Sequence, residues 1–501
     1  MTTTSALRAP LRALLRELFL PLLAGAALSS RVGAQQAADA GRDFDAIDAH
    51  VERLMRAERI PGVSIAIVHH DTIVHVRGFG DDGRGRAVTA NTGFVLGSMS
   101  KSFTALAIMQ LEERGLIALD APVQRYLPWF RVGDAGASAA ITIRQLLNHT
   151  SGIPTGAPRA HGDHLTITDH VRALAGVSLS HTPGATHEYS SPNYQVLGAV
   201  VEAVSGQPFG MYVDQAILAP LDMRHSHTDA VRAGVGDMGR GHVYVLGFPM
   251  HASISAEPDR LPAAAMVSSA GDLAHFLIAQ LQLGEYAGTR VLGADAMTRM
   301  HAGGAPSDGF SYAFGWRDGR LAGARAVHHG GITSHFRGKM VMLPEQGWGV
   351  AVLTNASSAL PWPLVPASHR LADDIAAHLV GQPLPPVSSR HRMFFAVVAI
   401  AMLAVLASQA RALLRAWRAT SGVAGRRLAW ASATDLALVA GVAVLPRFVG
   451  LTWPELLRGA PDVAWWLLVT SALGLLTMAA RVMRHGSAPL AGPLDNRRVR
   501  E

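Results

Sequence analysis

A serine and a lysine one helical turn apart can carry acyl-transfer chemistry, and Ser98 and Lys101 have that spacing in LGSMSKSFTALAIMQLEERG at 96–115. The run predicts a helix that opens on Ser98 and closes at Gly115, a residue suited to the left-handed conformation after a helix C-terminus. Its middle, 103–111, is apolar on nearly every face, which places it in the interior. A lysine packed among apolar groups has its ammonium form disfavoured and becomes a base for a neighbouring hydroxyl. The helix N-terminus adds positive potential and free N–H groups at the same point. The plainer alternative makes Ser98 an N-cap and Lys101 a first-turn charge. Composition weighs against it: of 44 basic residues only Lys101 and Lys339 are lysine, the rest being arginine. Such a sequence keeps a lysine where an amine must be able to lose its proton.

Acyl transfer also needs a proton shuttle and donors for the oxyanion. HEYSSPNYQVLGAVVEAVSG at 187–206 presents Tyr189 in a Ser/Pro-rich loop just before an apolar helix, where a phenol can face a cleft and exchange protons. VHHGGITSHFRGKMVMLP at 327–344 sets His329 before Gly330 and Gly331 on a predicted strand, and glycine there lets a ligand approach the backbone. His225-x-His227-x-Asp229 has metallo-hydrolase spacing, but Ala230 stands where the next ligand would fall and His-Glu-x-x-His is absent. No metal and no cofactor is therefore expected. The absence of a Gly-x-Ser-x-Gly elbow argues against an α/β-hydrolase.

In order and spacing these residues resemble the serine β-lactamase and penicillin-recognising superfamily. The likeness is greatest to its class C-like branch, with D-aminopeptidases, D-Ala-D-Ala carboxypeptidases and esterases. It spans about 44–378 and rests on Ser98-x-x-Lys101, the Tyr189 loop, LLNHTSGIP at 146–154, and His329-Gly330-Gly331 in place of Lys-Thr-Gly or His-x-Gly. The resemblance implies a mixed α/β (α+β) fold, with an antiparallel sheet flanked by helices and an all-helical subdomain. It implies that Ser98 is acylated, that Lys101 and Tyr189 form the base system, and that His329 lines the substrate strand. The backbone N–H groups of Ser98 and of Ile332, next to Gly331, would form the oxyanion hole. Where the family has Tyr-x-Asn this chain has Tyr189-Ser190-Ser191, so Ser191 takes a substrate-binding position with a side chain too short to reach a substrate amide well.

At 501 residues the chain exceeds one ordinary core, and its mean hydropathy is positive at +0.21. Residues 1–34 read as a secretory signal, with Arg8, Arg12 and Arg16, a short apolar core, and a small-residue cleavage site at Val32-Gly33-Ala34. A serine hydrolase domain follows at 35–380, with predicted hairpins at 63–80 and 338–355 and a closing helix at 364–378. After a Pro-rich linker at 381–392, a transmembrane region at 393–501 holds three apolar segments, 393–410, about 430–445, and 463–480.

The net charge of +7 belongs to that last region, which leaves the hydrolase domain mildly acidic and excludes a nucleic-acid face. With no cysteine, disulfides and thiol catalysis are excluded as well. Arginines cluster in the loop after the first apolar segment and in the tail, which sets both in the cytoplasm and the large domain outside. The expected function is that of an inner-membrane serine hydrolase facing the periplasm. Its substrate would be a cell-wall D-amino-acid peptide, a small ester or a β-lactam. The alternative is a non-enzymatic sensor or scaffold whose pocket only binds.

Overall fold

The computed structural model describes residues 44–158, 160, 165–228, 238–252, 260–358, 367–388, 390–418, 425–448 and 452–486. The expected signal at 1–34 and Asp229 lie outside them. The chain falls into two compact units, Met1–Arg53 and Leu54–Glu501. In the first, 44–53 are helical; the second holds the sheet, the helical region and the C-terminal helices.

The runs GVSIAIVH and WGVAVLT are apolar without alternation, the pattern of strands covered on both faces. They sit side by side in an eight-stranded sheet although nearly three hundred residues separate them. In chain order the strands of that sheet and of a smaller one are β1 (Gly62–His69), β2 (Thr72–Gly80), β3 (His242–Val245), β4 (Phe248–His251), β5 (Ala305–Ser307), β6 (Phe310–Tyr312), β7 (Arg317–Leu321), β8 (Ala324–Ile332), β9 (Arg337–Leu343), β10 (Trp348–Thr354) and β11 (Ala356–Ser357). The large sheet runs β2-β1-β10-β9-β8-β7-β6-β5, with every neighbouring pair antiparallel. Both predicted hairpins are present, and the N-terminal pair completes the sheet begun near the C-terminal end of the domain. The small sheet runs β11-β3-β4.

The main helices are α1 (Ser100–Glu113), α2 (Ser191–Ser205), α3 (Ala270–Leu281), α4 (Ala367–His378), α5 (Arg390–Arg418), α6 (Gly425–Phe448), α7 (Trp453–Gly459) and α8 (Pro461–Gly486). Side chains alternate across a strand, so β9 and β10 present two different faces. Leu277 and Leu281 of α3 occupy the space a Cβ on Gly349 would need, which seats α3 on one face. Lys339, on the opposite face of β9, donates to Asp373 of α4 at 2.6 and 2.8 Å. α1 runs through the interior with every residue from Ser100 to Leu111 buried. Phe103 stacks on Phe276 at 4.0 Å, which ties it to α3.

Asn355 joins the pieces at one corner of the sheet. Fully buried, it accepts from Gly62 N at 2.7 Å and donates to Asp81 O at 3.0 Å, while its carbonyl accepts from His242 N at 2.8 Å.

The expectation of three membrane helices is corrected to two. Among the described residues only Arg392–Arg418 and Pro461–Met483 have the length and hydropathy to cross a bilayer. In α6 the apolar stretch is confined to Asp435–Pro446, bounded by a carboxylate and a proline. Asp435 is paired with Arg481 of α8 at 2.7 Å. α5 and α8 both begin beside the β3–β4 hairpin: the Phe395 ring lies 5.9 Å from that of Tyr244, and Asp462 accepts from Leu246 N at 2.8 Å.

Replacing Asn355 with alanine removes two side-chain hydrogen bonds and strands a buried N–H. Asn355→Ala is expected to cost about 2–4 kcal/mol, read as a lowered thermal transition of the sheet-containing domain by near-UV circular dichroism.

Candidate active site

The predicted helix does not begin on Ser98. A 3-10 turn over Gly97–Met99 leads into α1, whose N-cap is Met99. The serine therefore leaves the first turn of α1 uncapped, and its hydroxyl is free for other partners. In a run buried from Thr92 to Leu111 it is the one residue that is partly exposed.

Lys101 lies beneath it, fully buried. Its Nζ is 3.2 Å from Ser98 Oγ, 3.2 Å from Ser191 Oγ and 2.8 Å from Ala263 O. No carboxylate is among these partners. Burial lowers the amine well below the usual lysine range, and the positive charges of Arg260 and Arg317 lower it further. A neutral amine has two N–H donors and one lone pair. The carbonyl and Ser191 take the donors, which leaves the lone pair for the Ser98 hydroxyl. The Ala263 carbonyl comes from a π-helical turn, Leu261–Ala265, held to α1 by Thr104 Oγ1 donating to Pro262 O at 2.7 Å.

Tyr189 closes the other side. Lys101 Nζ sits 5.0 Å from its ring centroid, and its hydroxyl is buried without a hydrogen bond of good geometry. Burial pushes the phenol up to about 12, although the nearby Ser98 hydroxyl and Arg317 pull the other way. The two shifts run in opposite senses, the phenol holding its proton more tightly and the amine less, so of the two the lysine is suited to take a proton from Ser98 and the tyrosine to pass one on.

His149, from LLNHTSGIP, fixes the tyrosine loop. Its Nδ1 accepts from Ser190 N at 3.2 Å and lies 3.1 Å from Asn193 Nδ2, and its ring is 4.4 Å from that of Tyr189. His329 does not line an open strand as expected. Strand alternation turns its side chain inward, 1% exposed. There its Nε2 meets the Tyr312 hydroxyl at 2.9 Å and its Nδ1 lies 2.7 Å from Gly330 O. It belongs to the packing behind Tyr189, at 6.4 Å between rings.

Ser98 and Ile332, whose N–H groups are the expected oxyanion donors, lie on two segments that meet across a seam of bare backbone. Thr333 N donates to Phe336 O at 2.9 Å across β8 and β9, so the alternation of the ladder turns the Ile332 N–H to the other edge of β8. On that edge stands the Gly97–Met99 turn. A Cβ on Gly97, at φ +56°, would lie 2.7 Å from Ile332 N, and one on Gly331 would lie 1.8 Å from Leu96 O. Two glycines are thus what lets the strand and the Ser98 turn touch. Gly97, His149, Tyr312, Arg317 and the Ala263 carbonyl had no assigned role in the sequence. For His149 a signal existed in its motif; for Tyr312 nothing local distinguishes it.

A partly exposed serine thus stands over a buried lysine, beside a buried phenol and the end of β8. The chain belongs to the beta-lactamase family, whose model matches residues 47–367. It is 27% identical over 453 residues to protein flp of Staphylococcus aureus strain N315, covering 86% of this chain and 87% of flp. That span is too long to end at residue 367, so the likeness runs into the C-terminal helices. It is 38% identical over 195 residues to esterase EstB of Burkholderia gladioli, covering 36% of this chain and 50% of EstB. Among solved structures, the octameric penicillin-binding protein homologue from Pyrococcus abyssi superposes with a TM-score of 0.57 at 25% identity, covering 68% of this chain and 78% of the other.

Burial holds His149 and His329 well below the usual histidine range, and holds His301, His328 and His369 down at about 3. Unfolded histidine protonates near 6.5, so below that pH the unfolded chain binds more protons than the folded one. Stability is then expected to rise with pH from about 3 to about 6.5 and to be lost as pH falls, by about 1.4 kcal/mol per pH unit for each such histidine. Denaturant midpoints measured across that range check it.

Proposed function

We propose that the chain is a membrane-tethered, extracytoplasmic serine hydrolase that forms an acyl-enzyme on Ser98, with small carboxylic esters as its substrates. The observation that carries the reading is the fully buried amine of Lys101, without a carboxylate partner, 3.2 Å from a partly exposed serine hydroxyl. Lys101 takes the Ser98 proton as Oγ attacks the ester carbonyl. The carbonyl oxygen gains the negative charge and is held by the N–H groups of Ser98 and Ile332. Collapse expels the alcohol, which takes a proton from Tyr189; the phenol is restored from the Lys101 ammonium. Water then attacks the acyl-Ser98 carbonyl by the same proton path in reverse. His329 and His149 act as positioning residues for Tyr189.

The choice of ester rests on Ser191. Its hydroxyl is engaged by Lys101 at 3.2 Å and it has no amide to hold a peptide bond. The stretch shared with esterase EstB favours the same choice. D-amino-acid peptides and β-lactams, whose amide must be gripped, would be turned over slowly.

Membrane attachment through α5 and α8 rests on their length and on their exposed apolar faces, which include Met393, Val397, Ile400, Leu403, Trp465 and Leu476. Both helices start next to the folded domain and both carry arginine at the far end, Arg415 and Arg418 in α5 and Arg481 and Arg484 in α8. α6, its Asp435 paired with Arg481, lies along α8 and returns the chain between those ends. Positive charge favours the cytoplasmic side, which leaves the domain at 35–380, its linker at 381–392 and the site on the periplasmic side of the inner membrane. A secretory signal at 1–34 would deliver the domain there.

A fluorophosphonate probe is expected to label the chain, and Ser98→Ala to abolish both labelling and ester hydrolysis, a loss of about 10³-fold or more in kcat/KM. Lys101→Arg keeps a cation but cannot act as a base, so it should fail comparably, whereas Tyr189→Phe should lose about 10²-fold. The acylation rate should rise with pH as Lys101 loses its proton, at a pH well below that of ordinary lysines. Faster turnover of a D-Ala-D-Ala peptide or chromogenic β-lactam than of a nitrophenyl ester would overturn the substrate assignment. Labelling without turnover of any of them would mark a binding protein.

A further inference from the structure

The β3–β4 hairpin carries apolar side chains where a surface turn favours polar ones. Val245 pairs with Phe248, which makes Leu246-Gly247 a two-residue turn with both φ angles positive, +50° and +81°. Such turns favour Asn-Gly, because a branched apolar residue resists the left-handed region. Here the first position is leucine, and its side chain points outward. Leu246, Phe248 and Met250 are 39%, 56% and 54% exposed, and Phe248 and Met250, two apart on a strand, share one face.

This tip is bonded to the start of one apolar C-terminal helix and packed on the start of the other. Asp462, at the first turn of α8, accepts from Leu246 N at 2.8 Å. Phe395, in the first turns of α5, lies against Gly247, where a Cβ would come within 2.8 Å of it. The Arg59 guanidinium sits 4.1 Å from the Phe248 ring and donates to Gly247 O at 3.1 Å. An exposed apolar wedge with a cation at its base, level with the ends of two membrane-spanning helices, matches the bilayer's interfacial layer. There apolar groups enter the acyl boundary and cations meet anionic headgroups. We infer that the tip formed by Leu246, Phe248 and Met250 is seated in the lipid headgroup layer of the membrane that α5 and α8 enter. The hydrolase domain then stands on three supports in one fixed orientation rather than swinging on its linker. The inference rests on the membrane attachment proposed above.

The chain has no cysteine, so single-cysteine variants report without background. The full chain carrying Phe248→Cys, or Met250→Cys as a second reporter, is labelled with a nitrobenzoxadiazole dye. It is reconstituted into phosphatidylethanolamine–phosphatidylglycerol vesicles, with lipid spin labels placed either near the headgroup or deep in the acyl chains. Leu403→Cys in α5 and Leu116→Cys beyond the far end of α1 serve as references, both positions being exposed. The tip dyes are expected to shift blue and lose about half their emission to the shallow label, Leu403 to be quenched by the deep label, and Leu116 by neither. Quenching at Leu403 with none at the tip would overturn the inference and leave the tether standing. No quenching at either would overturn both. A blue shift that follows protein density and ignores the spin labels would put a second copy on the tip, and would overturn it too.

Discussion

An ammonium group carried into the position of Lys101 would lose its water and gain only two hydroxyls and a carbonyl in return. Two arginine charges nearby would oppose it further, and no carboxylate neutralises it. The charged form is therefore disfavoured there, and the rest of the site follows from this. The interior packing of α1, ordinarily a matter of stability, here sets protonation. Phe103 against Phe276, and the turn at Leu261–Ala265 against Thr104, exclude the water that would recharge the amine. The same low-dielectric surroundings raise the phenol of Tyr189, so two ordinarily similar proton affinities are driven apart, the phenol holding its proton more tightly and the amine less.

A second constraint is steric. The Ser98 turn and the edge of β8 meet through backbone alone, with Gly97 and Gly331 facing each other's chain. Any Cβ at this seam would part the helix from the sheet and draw the two N–H donors away from one another. The positive φ of Gly97 also lets the chain turn sharply from Leu96 into the 3-10 turn, which raises Ser98 out of an otherwise buried stretch.

Much of this was legible in the residues. The β-branched and apolar runs announced the hairpins β1–β2 and β9–β10, and a serine, a lysine and a tyrosine in that order announced groups that lie close together in the fold. What stayed hidden depended on register or on distant parts of the chain. Whether His329 faces a substrate or the interior is decided by the strand's alternation relative to β9, and a shift by one residue would reverse it. Tyr312 and the Ala263 carbonyl reach the site from more than a hundred residues beyond Lys101, with no local pattern to mark them. The second apolar segment misled because window hydropathy averages over Asp435 and Pro446, and the pairing of Asp435 with Arg481 is a tertiary fact.

The scarcity of lysine has one more effect. Lys101 is sealed inside and Lys339 is clasped by Asp373 under the sheet, so both side-chain amines of the chain are buried. Arginine carries the remaining positive charge, and a guanidinium resists acylation where an amine would accept it. Activated acyl donors meeting the folded surface therefore find no lysine to modify by accident.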